Sequence, residues 1–591
     1  MKIYKLMVVA FALTGLLCNC SSDSSERYVA PAEAADPTDP AASDPGVHAF
    51  TGLPLTEDGW TDFAALIQGD AAAAVQAAYD DARVVFVSSS DGDDDTGQIY
   101  TTLDITFDEN GMFQASSPVN AFATLAEAYN QLRDGYPDIL LLKRDDEWQE
   151  RFDLGSIGRW DKSGPSSTAR IILGSYGSGE RPTLLIGNGT GFVPYYASNL
   201  IVSGIRFYSH TWETETPDRS IDIAISGQSD HLYEDCVFER NVNNVQNFQR
   251  MAFRRNNFIE GLPDDLTAKL YAFNGDGLLL EENIFHSPVE KNRHLYLSGP
   301  ADGDPYGPIS GLITIGNIFY TSQRTGLSHR ANGLISNNLI VRNDQILVGG
   351  TGGSQDEIKS VQLLNNVFLE SVPDSVGDGE YSIRIQNNDG SSFYDNIWTD
   401  NTNLGLHTIA ILLTGDEEVH IAKNIDIYDN IVHGWSGGGD NPWVISTAGD
   451  FQEVENVNIY DNDFQQVNGG RLIINREYDG GTKQFEGYTY SGNRYYSTEA
   501  ADGWFTPGDT FAGWAAASGE TGAQAIQVDY PDAGRNLKTY NASLGGVPST
   551  EEFMVEALKQ ARHNWRSEYR ACAVNNYIRE GFGKETVECG F

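Results

Sequence analysis

The chain has 591 residues, of which 40% are hydrophobic and 11% aromatic, enough for a large core in one elongated β domain or several ordinary ones. Asp and Glu number 83 against 39 Lys and Arg, a formal charge of -44 that disfavours nucleic acid and anionic membrane surfaces as partners. Acidity of this kind keeps a protein soluble in a salty medium, and nothing in the composition implies a protein partner.

Lys2 and Lys5 precede an apolar run over 6–17, followed by Cys18-Asn19-Cys20-Ser21-Ser22-Asp23. A short apolar run behind basic residues reads as a signal peptide, since a spanning helix needs about 20 apolar residues. A cysteine at the cleavage point resembles the lipobox of bacterial lipoproteins. Leu17, three before Cys20, favours Cys20 as the lipidated residue, with Cys18 as the alternative and an ordinary cleaved signal as the other reading. The expectation is a bacterial cell-envelope lipoprotein, in the outer membrane and facing the periplasm or the cell surface. Its signal would be residues 1–20. A flexible tether would follow over 21–50, where 30–46 is rich in Ala, Pro, Asp and Ser.

Residues 51–165 read as an N-terminal cap with the first coils of a repeat array. They hold a strand over 84–88, an acidic loop Asp91-Gly92-Asp93-Asp94-Asp95, a helix over 122–132 and a strand over 139–142. A helix and strand there would plug the open end of a solenoid. Over 166–497 short segments recur in which Asn or Asp precedes apolar and aromatic residues. Among them are Asp235-Cys236-Val237-Phe238, Asn257-Phe258-Ile259, Asn283-Ile284-Phe285, Asn317-Ile318-Phe319, Asn338-Leu339-Ile340, Asn366-Val367-Phe368 and Asn396-Ile397-Trp398. Asn430-Ile431-Val432, Asn462-Asp463-Phe464 and Asn493-Arg494-Tyr495 continue the series. The spacing is irregular, which argues against a propeller or a leucine-rich horseshoe. It fits a coil of three short strands per turn, in which asparagine takes the left-handed corner and its amide bonds to the amide stacked above. Loops on one face would absorb the irregularity and build the site.

Residues 498–591 form a C-terminal capping segment, with a helix beginning at Ser549-Thr550-Glu551-Glu552 as a capping box and expected to seal the far end. Cys572 and Cys589 flank a short loop and are a candidate disulfide in an oxidising compartment, whereas Cys236 sits in a strand pattern and reads as a buried thiol. No Cys or Cys/His spacing suggests zinc.

Two stretches carry a family resemblance. One runs from Phe86-Val87-Ser88-Ser89-Ser90 through Arg133-Asp134-Gly135-Tyr136-Pro137-Asp138 to Leu141-Leu142-Lys143-Arg144. The other runs from Asn564-Trp565-Arg566 to Tyr577-Ile578-Arg579-Glu580-Gly581-Phe582-Gly583. With the repeats between them, the chain resembles secreted right-handed parallel β-helix proteins of the pectin-lyase-like superfamily. The resemblance implies an all-β fold, a right-handed parallel β-helix with N-terminal and C-terminal capping elements. The group includes polysaccharide lyases, glycoside hydrolases, uronate epimerases and adhesins, so it does not fix the reaction.

Counting eleven residues on from Phe258, Phe285 and Phe319 reaches Lys269, Tyr296 and Arg330, and two earlier lie Thr267, His294 and Ser328. Strand alternation then gathers Lys269, His294, Tyr296 and Arg330 on one outer face as candidate catalytic groups, with Lys291, Arg293, Arg324 and His329 as candidate substrate-binding groups. Strict alternation buries His329 unless a bulge near Gly326 intervenes. From 239 to 344, ten Lys and Arg meet eleven Asp and Glu, so this stretch is nearly neutral in a strongly acidic chain and would tolerate an acidic polymer. These residue types suit β-elimination on a uronate: a Tyr or His takes the proton, and Arg or Lys stabilises the enediolate.

The alternatives are an inverting hydrolase using Asp264, Asp265, Asp276, Glu281 or Glu282, and a non-catalytic glycan-binding or adhesion protein using Trp398, Trp435 or Trp443. The paired-aspartate and Gly-His-Gly motifs of polygalacturonases are not found. Nor are the Trp-Ile-Asp-His motif of pectate lyases and the Tyr-Gly-Phe-Asp-Pro-His motif of mannuronan epimerases. Chondroitinase-B-like and alginate lyases use Lys, Arg and calcium, which Lys291 and Arg324 resemble. Calcium fits the acidic composition, with the 91–95 loop as the obvious cluster, although its spacing is not that of an EF-hand.

Overall fold

The asparagine-led segments pair in parallel, each with its counterpart one coil further on. Phe258 aligns with Phe285, Phe285 with Phe319, and Phe319 with Ile340, then Phe368, Trp398 and Val432 follow in register. The computed structural model describes residues 46–69, 73–187, 191–211, 223–226, 229–260, 268–287, 293–297, 309–349, 360–370, 380–400, 408–415, 420–435 and 443–589. The signal segment with Cys18 and Cys20, the tether to residue 45, Asp264, Asp265, Thr267 and Lys291 lie outside these residues, as does the Arg324 side chain.

The unit from Gly46 onward is a right-handed parallel β-helix of about ten coils. Each coil contributes one strand to each of three parallel sheets. Sheet B includes Leu200–Ser203, Gly333–Ser336 and Val361–Leu364; sheet C includes Asn257–Ile259, Ile284–His286 and Val367–Leu369. Sheet A includes Arg293–Leu297, the far end of Ile318–His329, and Trp443–Thr447. Long strands such as Ala268–Glu281 bend from sheet A into sheet B at Asn274 and Gly277, both with positive φ.

Alternation turns one set of side chains inward. Phe207, Phe238, Phe258, Phe285 and Phe319 stack down the core with ring centroids 4.5–5.5 Å apart. Beside them runs a ladder of buried amides through Asn256, Asn283, Asn317, Asn338, Asn366, Asn396, Asn430, Asn462 and Asn493. Each of the first eight donates from backbone and side chain to the next Oδ1, at 2.9–3.1 Å. Asn493 ends the ladder on Glu520, 2.7 Å away, which also accepts from Trp514 and Tyr495. The left-handed residue is the one before the asparagine: Arg255, Glu282, Asn337, Asn365, Asp395, Asp429 and Asp461 have φ of 50–59°. The expectation that the ladder asparagine itself takes that geometry is therefore corrected. Its side chain must point inward to meet its neighbours, so the corner falls one residue earlier. In the segment Asn256-Asn257-Phe258 the ladder residue is Asn256, not Asn257, whose amide bonds to the Leu558 carbonyl.

Helices close both ends, but one of them is not where the sequence places it. Helices α1 (Phe63–Gln68) and α2 (Ala73–Asp80) precede the first coil, and α3 (Leu125–Asn130), capped by Thr124, packs Leu125, Ala128 and Tyr129 on its core. The far end is sealed by α4 (Phe511–Ser518), whose Trp514 stacks on Phe505. Three further helices, α5 (Leu537–Ser543), α6 (Thr550–Ala557) and α7 (Ala571–Gly581), lie along the outer face of sheet C. They cover Ile284, Ile318, Leu339, Val367, Ile397 and Ile431. The Ser549-led helix thus covers a flank and does not seal an end, because sheet C turns an aliphatic row outward that needs burial. Ser549 accepts from the Glu552 backbone N–H, while its hydroxyl donates to Glu551. Cys572 and Cys589 form a disulfide, and Cys236 is a free, buried thiol whose burial pushes it up to about 12.

The N-terminal segment covers sheet B in the same way: Leu53, Phe63, Leu66 and Ile67 pack with Ile172, Ile201, Leu232, Ala252 and Leu279. The two terminal segments meet. The Arg562 guanidinium donates to the Thr61 carbonyl, and Trp60 meets Trp565 edge to face at 5.0 Å. Among the described residues, the apolar cluster on the outer side of sheet A, Ile409, Leu412 and Trp443 with Tyr381 and Ile474, contains no residue of either terminal segment.

Candidate functional site

Sheets B and C are roofed by the chain's own ends, and among the described residues the outer face of sheet A has no such roof. Residues 261–267, 288–292, 298–308, 350–359, 371–379, 401–407 and 436–442, which lie outside the described set, all enter or leave its strands in sequence. Insertions flanking one sheet are where a solenoid builds a site.

On this face Tyr271 aligns with Tyr296 and Tyr296 with Ser328, each flanked by inward-facing residues such as Leu270, Ala272, Leu295, Leu297 and Leu327. The two tyrosine rings are 5.6 Å apart, and Phe273 lies 6.1 Å from Tyr296. The Arg293 and Arg330 guanidiniums face the Tyr296 ring at 5.4 and 5.7 Å from its centroid, within cation–π range. Arg330 reaches this position because its backbone N–H bonds to the Leu297 carbonyl one coil back, 2.8 Å away. All three side chains are half-buried, which leaves them accessible yet held. Arg384 aligns with Leu347 and Leu412 further along the same face.

Lys269 and His294 are placed differently from the reading by counting. Both are buried, Lys269 at 3% and His294 at 0% exposure, so they do not share the open face with Tyr296. Lys269 Nζ has no hydrogen-bond partner among the described residues, and burial pulls the amine down to about 7, opposed by Glu260. His294 packs against Phe285 and Phe319, at 6.1 and 5.9 Å between ring centroids. Burial, Lys269 and His286 all hold it well below the ordinary histidine range. His286 itself is lowered to about 4 by burial and by Lys269.

Counting from the phenylalanines fails because the turn between sheets C and A changes length from coil to coil. Tyr271 lies thirteen beyond Phe258, Tyr296 eleven beyond Phe285, and Ser328 nine beyond Phe319. His329 is also corrected: although the register shifts near Gly326, it aligns with Leu297 and Val348 and is buried in the core. Tyr271 and Phe273 were missed, although the triplets Leu270-Tyr271-Ala272 and Leu295-Tyr296-Leu297 carry the alignment in plain view.

The described carboxylates considered for hydrolysis, Asp276, Glu281 and Glu282, have other partners, Asp276 accepting from the Ser310 hydroxyl at 2.5 Å. Glu281 is buried against Arg254 and His48, and Glu282 bonds Arg255 at 2.7 Å and Arg570 at 3.1 Å. Trp398 stacks on Phe368 inside the core at 4.6 Å; Trp435 is buried, and Trp443 packs with Ile409 and Leu412. In the acidic loop Asp91 pairs with Lys143, while Asp94 accepts from Ala123 and Thr124 at the start of α3. Among the described residues no group of three His, Cys, Asp or Glu is placed to hold a metal, and no helix is long and apolar enough to cross a membrane.

No family model matches the sequence, and no curated protein matches it significantly. Several solved structures are similar to the chain at low identity. A GH136 lacto-N-biosidase from Eubacterium ramulus is 12% identical over 75% of this chain and 67% of its own, with a TM-score of 0.33. The PL6 family alginate lyase AlyGC is 15% identical over 66% of this chain and 49% of its own, with a TM-score of 0.37. A mannuronic acid specific family 6 polysaccharide lyase from human gut microbiota is 12% identical over 62% and 76%, with a TM-score of 0.32.

Proposed function

We propose that this protein acts on an acidic, uronate-containing polysaccharide and cleaves it by β-elimination on the outer face of sheet A. The observation that carries the reading is the half-buried Tyr296 faced by two guanidiniums, on a sheet that the described residues of the terminal segments do not roof as they roof sheets B and C. Arg330 and Arg293 would hold the uronate carboxylate in charge-assisted, bidentate fashion and take up negative charge as the C5–H bond breaks. The Tyr296 oxygen would receive the C5 proton. The electron pair left on carbon forms the C4–C5 double bond, the C4–O bond breaks, and the departing oxygen takes a proton from the Tyr296 hydroxyl, which returns Tyr296 to the phenolate that began the step. Tyr271 and Phe273 would form an apolar wall for the sugar ring. An acidic chain is repelled by the strongly negative molecule elsewhere, so a local cluster of arginines also directs where it lands.

Digestion of alginate, pectin, chondroitin, ulvan and sulfated algal glycans tests this. Elimination leaves an unsaturated uronate absorbing at about 235 nm, and Tyr296→Phe should then lower turnover by ~10²–10⁴ with binding retained. New reducing ends without that absorbance would indicate a hydrolase. Binding without turnover on any polymer would make the protein a glycan-binding surface module.

We also propose that the chain is exported and anchored through a lipid on Cys20, on the pattern of residues 2–23. Mass spectrometry of the mature N-terminus tests it: an unmodified terminus at another residue refutes the anchor.

A further inference from the structure

The strands of sheet A reverse the charge balance of the rest of the chain, in which Asp and Glu outnumber Lys and Arg by 83 to 39. Over 268–273, 293–297, 325–330, 345–349, 380–386, 408–414, 443–447 and 471–474 the basic residues are Lys269, Arg293, Arg330, Arg384 and Arg471, and the acidic residue is Glu380. Lys269 is buried, so the outward cations of this sheet are arginines.

Arg293 and Arg330 meet at Tyr296, whereas Arg384 and Arg471 lie further along the coil. The register runs from Tyr296 through Ser328 and Leu347 to Arg384, then through Leu412 and Ser446 to Ile474. Arg384 is thus three coils from Tyr296, and Ile474 is three coils beyond Arg384. Arg471 stands three residues before Ile474, as Arg293 stands three before Tyr296. Ile383 and Ile385 lie in the core at 0% and 2% exposure, so alternation turns the half-buried Arg384 outward. Arg471 is exposed, with its guanidinium 5.1 Å from the Trp443 ring centroid.

Among the described residues neither Arg384 nor Arg471 has a carboxylate partner. Arginines of the sheet C flank are paired: Arg206 with Glu239, Arg240 with Glu260, Arg342 with Glu370 and Arg494 with Asp463. In so acidic a chain a guanidinium readily finds a carboxylate, and one left without it keeps its fork of donors open to an anion from outside. Coils are about 4.8 Å apart, the spacing of paired strands, and an extended pyranose chain advances by a similar length per ring. Roughly three sugars would therefore separate Tyr296 from Arg384, and roughly three more would reach Arg471.

We infer that Arg384 and Arg471 are distal subsites for carboxylates of one acidic chain, a reading that rests on Tyr296 as the point of cleavage and extends the site to roughly seven sugars. These contacts supply binding energy that a short acidic oligomer cannot reach.

Calorimetric titration with oligomers of about three and about eight sugars, prepared from alginate and from pectin, tests the footprint. The full chain is used, with Tyr296→Phe wherever the oligomer is cleaved. The longer oligomer of at least one acidic polymer should bind roughly tenfold or more tightly than the shorter, and the double variant Arg384→Ala, Arg471→Ala should lose that gain. Lys559→Ala, which removes a positive charge from the exposed flank over sheet C, should keep it. The melting temperature of the double variant reports whether its fold is intact. A gain that survives in the double variant, an equal gain for neutral cello-oligomers, or no gain with length would each overturn the assignment. Absorbance at about 235 nm, followed in parallel, separates this result from the chemistry. Arginine-dependent binding of long chains without elimination would uphold the subsites and sink the reaction. Elimination lost in Tyr296→Phe, beside a length gain that ignores both arginines, would sink the subsites and uphold the reaction.

Discussion

Two polar columns run inside this coil, and they are built to opposite rules. At the corner between sheets B and C every ladder asparagine is bonded above and below, so its burial costs nothing further and the column fixes register. At the turn between sheets C and A, Lys269 is buried without a partner among the described residues, and His286 and His294 are held neutral beside it. Among the described residues one column is fully bonded and the other is short of partners, which makes the second a candidate for a role other than stability. Perturbed groups of this kind collect at functional sites, and Lys269 and His294 lie two residues before Tyr271 and Tyr296.

The largest effect expected from this contrast is at the ladder. Asn338→Ala removes an amide bonded to Asn366 at 2.9 Å and to the Thr314 carbonyl at 2.9 Å, and strands the Asn317 backbone N–H, while the Asn317 side chain keeps the Leu280 and Ile315 carbonyls. Unsatisfied buried groups cost ~1–3 kcal/mol each, so a loss of roughly 2–4 kcal/mol is expected, read from urea denaturation as a lower midpoint. A loss no greater than that of an exposed Asn110→Ala control would show that stacking of the phenylalanines, and not the amides, sets the register.

The ladder was legible in the sequence because asparagine recurs before an apolar pair and the apolar residues behind it are stacked in register. The outer column was legible only in part. Tyr296 and Arg330 meet because both lie on sheet A, but Lys269 and His294 cannot be placed by counting, since residues between sheets C and A are added and removed from coil to coil. A Tyr in an apolar–Tyr–apolar triplet is a better ruler than distance from a phenylalanine, as Tyr271 shows. The terminal segments hid the fate of Glu281 and Glu282. Their partners His48 and Arg570 lie 233 and 288 residues away in the chain, beyond any local pattern. The same distance explains why the helix at Ser549 reads as an end cap: nothing near it reveals that sheet C needs a roof.

A smaller effect separates the second column from the first. Lys269 titrates near 7 in the folded chain and near its ordinary 10.5 when unfolded, so the unfolded state binds more protons between those values and stability rises with pH across them. Below pH 7 the buried ammonium is carried at full cost. Lys269→Met should therefore stabilise the protein by about 2–3 kcal/mol at pH 6, and the advantage should shrink steadily toward pH 10.5. Melting curves of both proteins over that range check it. A stabilisation that does not change with pH would mean the gain comes from packing and not from the charge.

The smallest effect concerns His329, the residue that the register turns into the core. Burial lowers it to about 4 from the ordinary 6.5, so the folded state disfavours the imidazolium. The unfolded chain takes up its proton first, and stability falls as pH drops from 6.5 toward 4, then levels off. His286 contributes in the same window, which is why the test is a difference: His329→Leu should make the descent shallower by about 1–2 kcal/mol at pH 4 while leaving stability at pH 8 nearly unchanged. An equal slope in both proteins would place His329 in water, on the face with Tyr296. The register from Leu297 through His329 to Val348 would then have to slip by one residue, turning Ser328 inward and breaking its alignment with Tyr296.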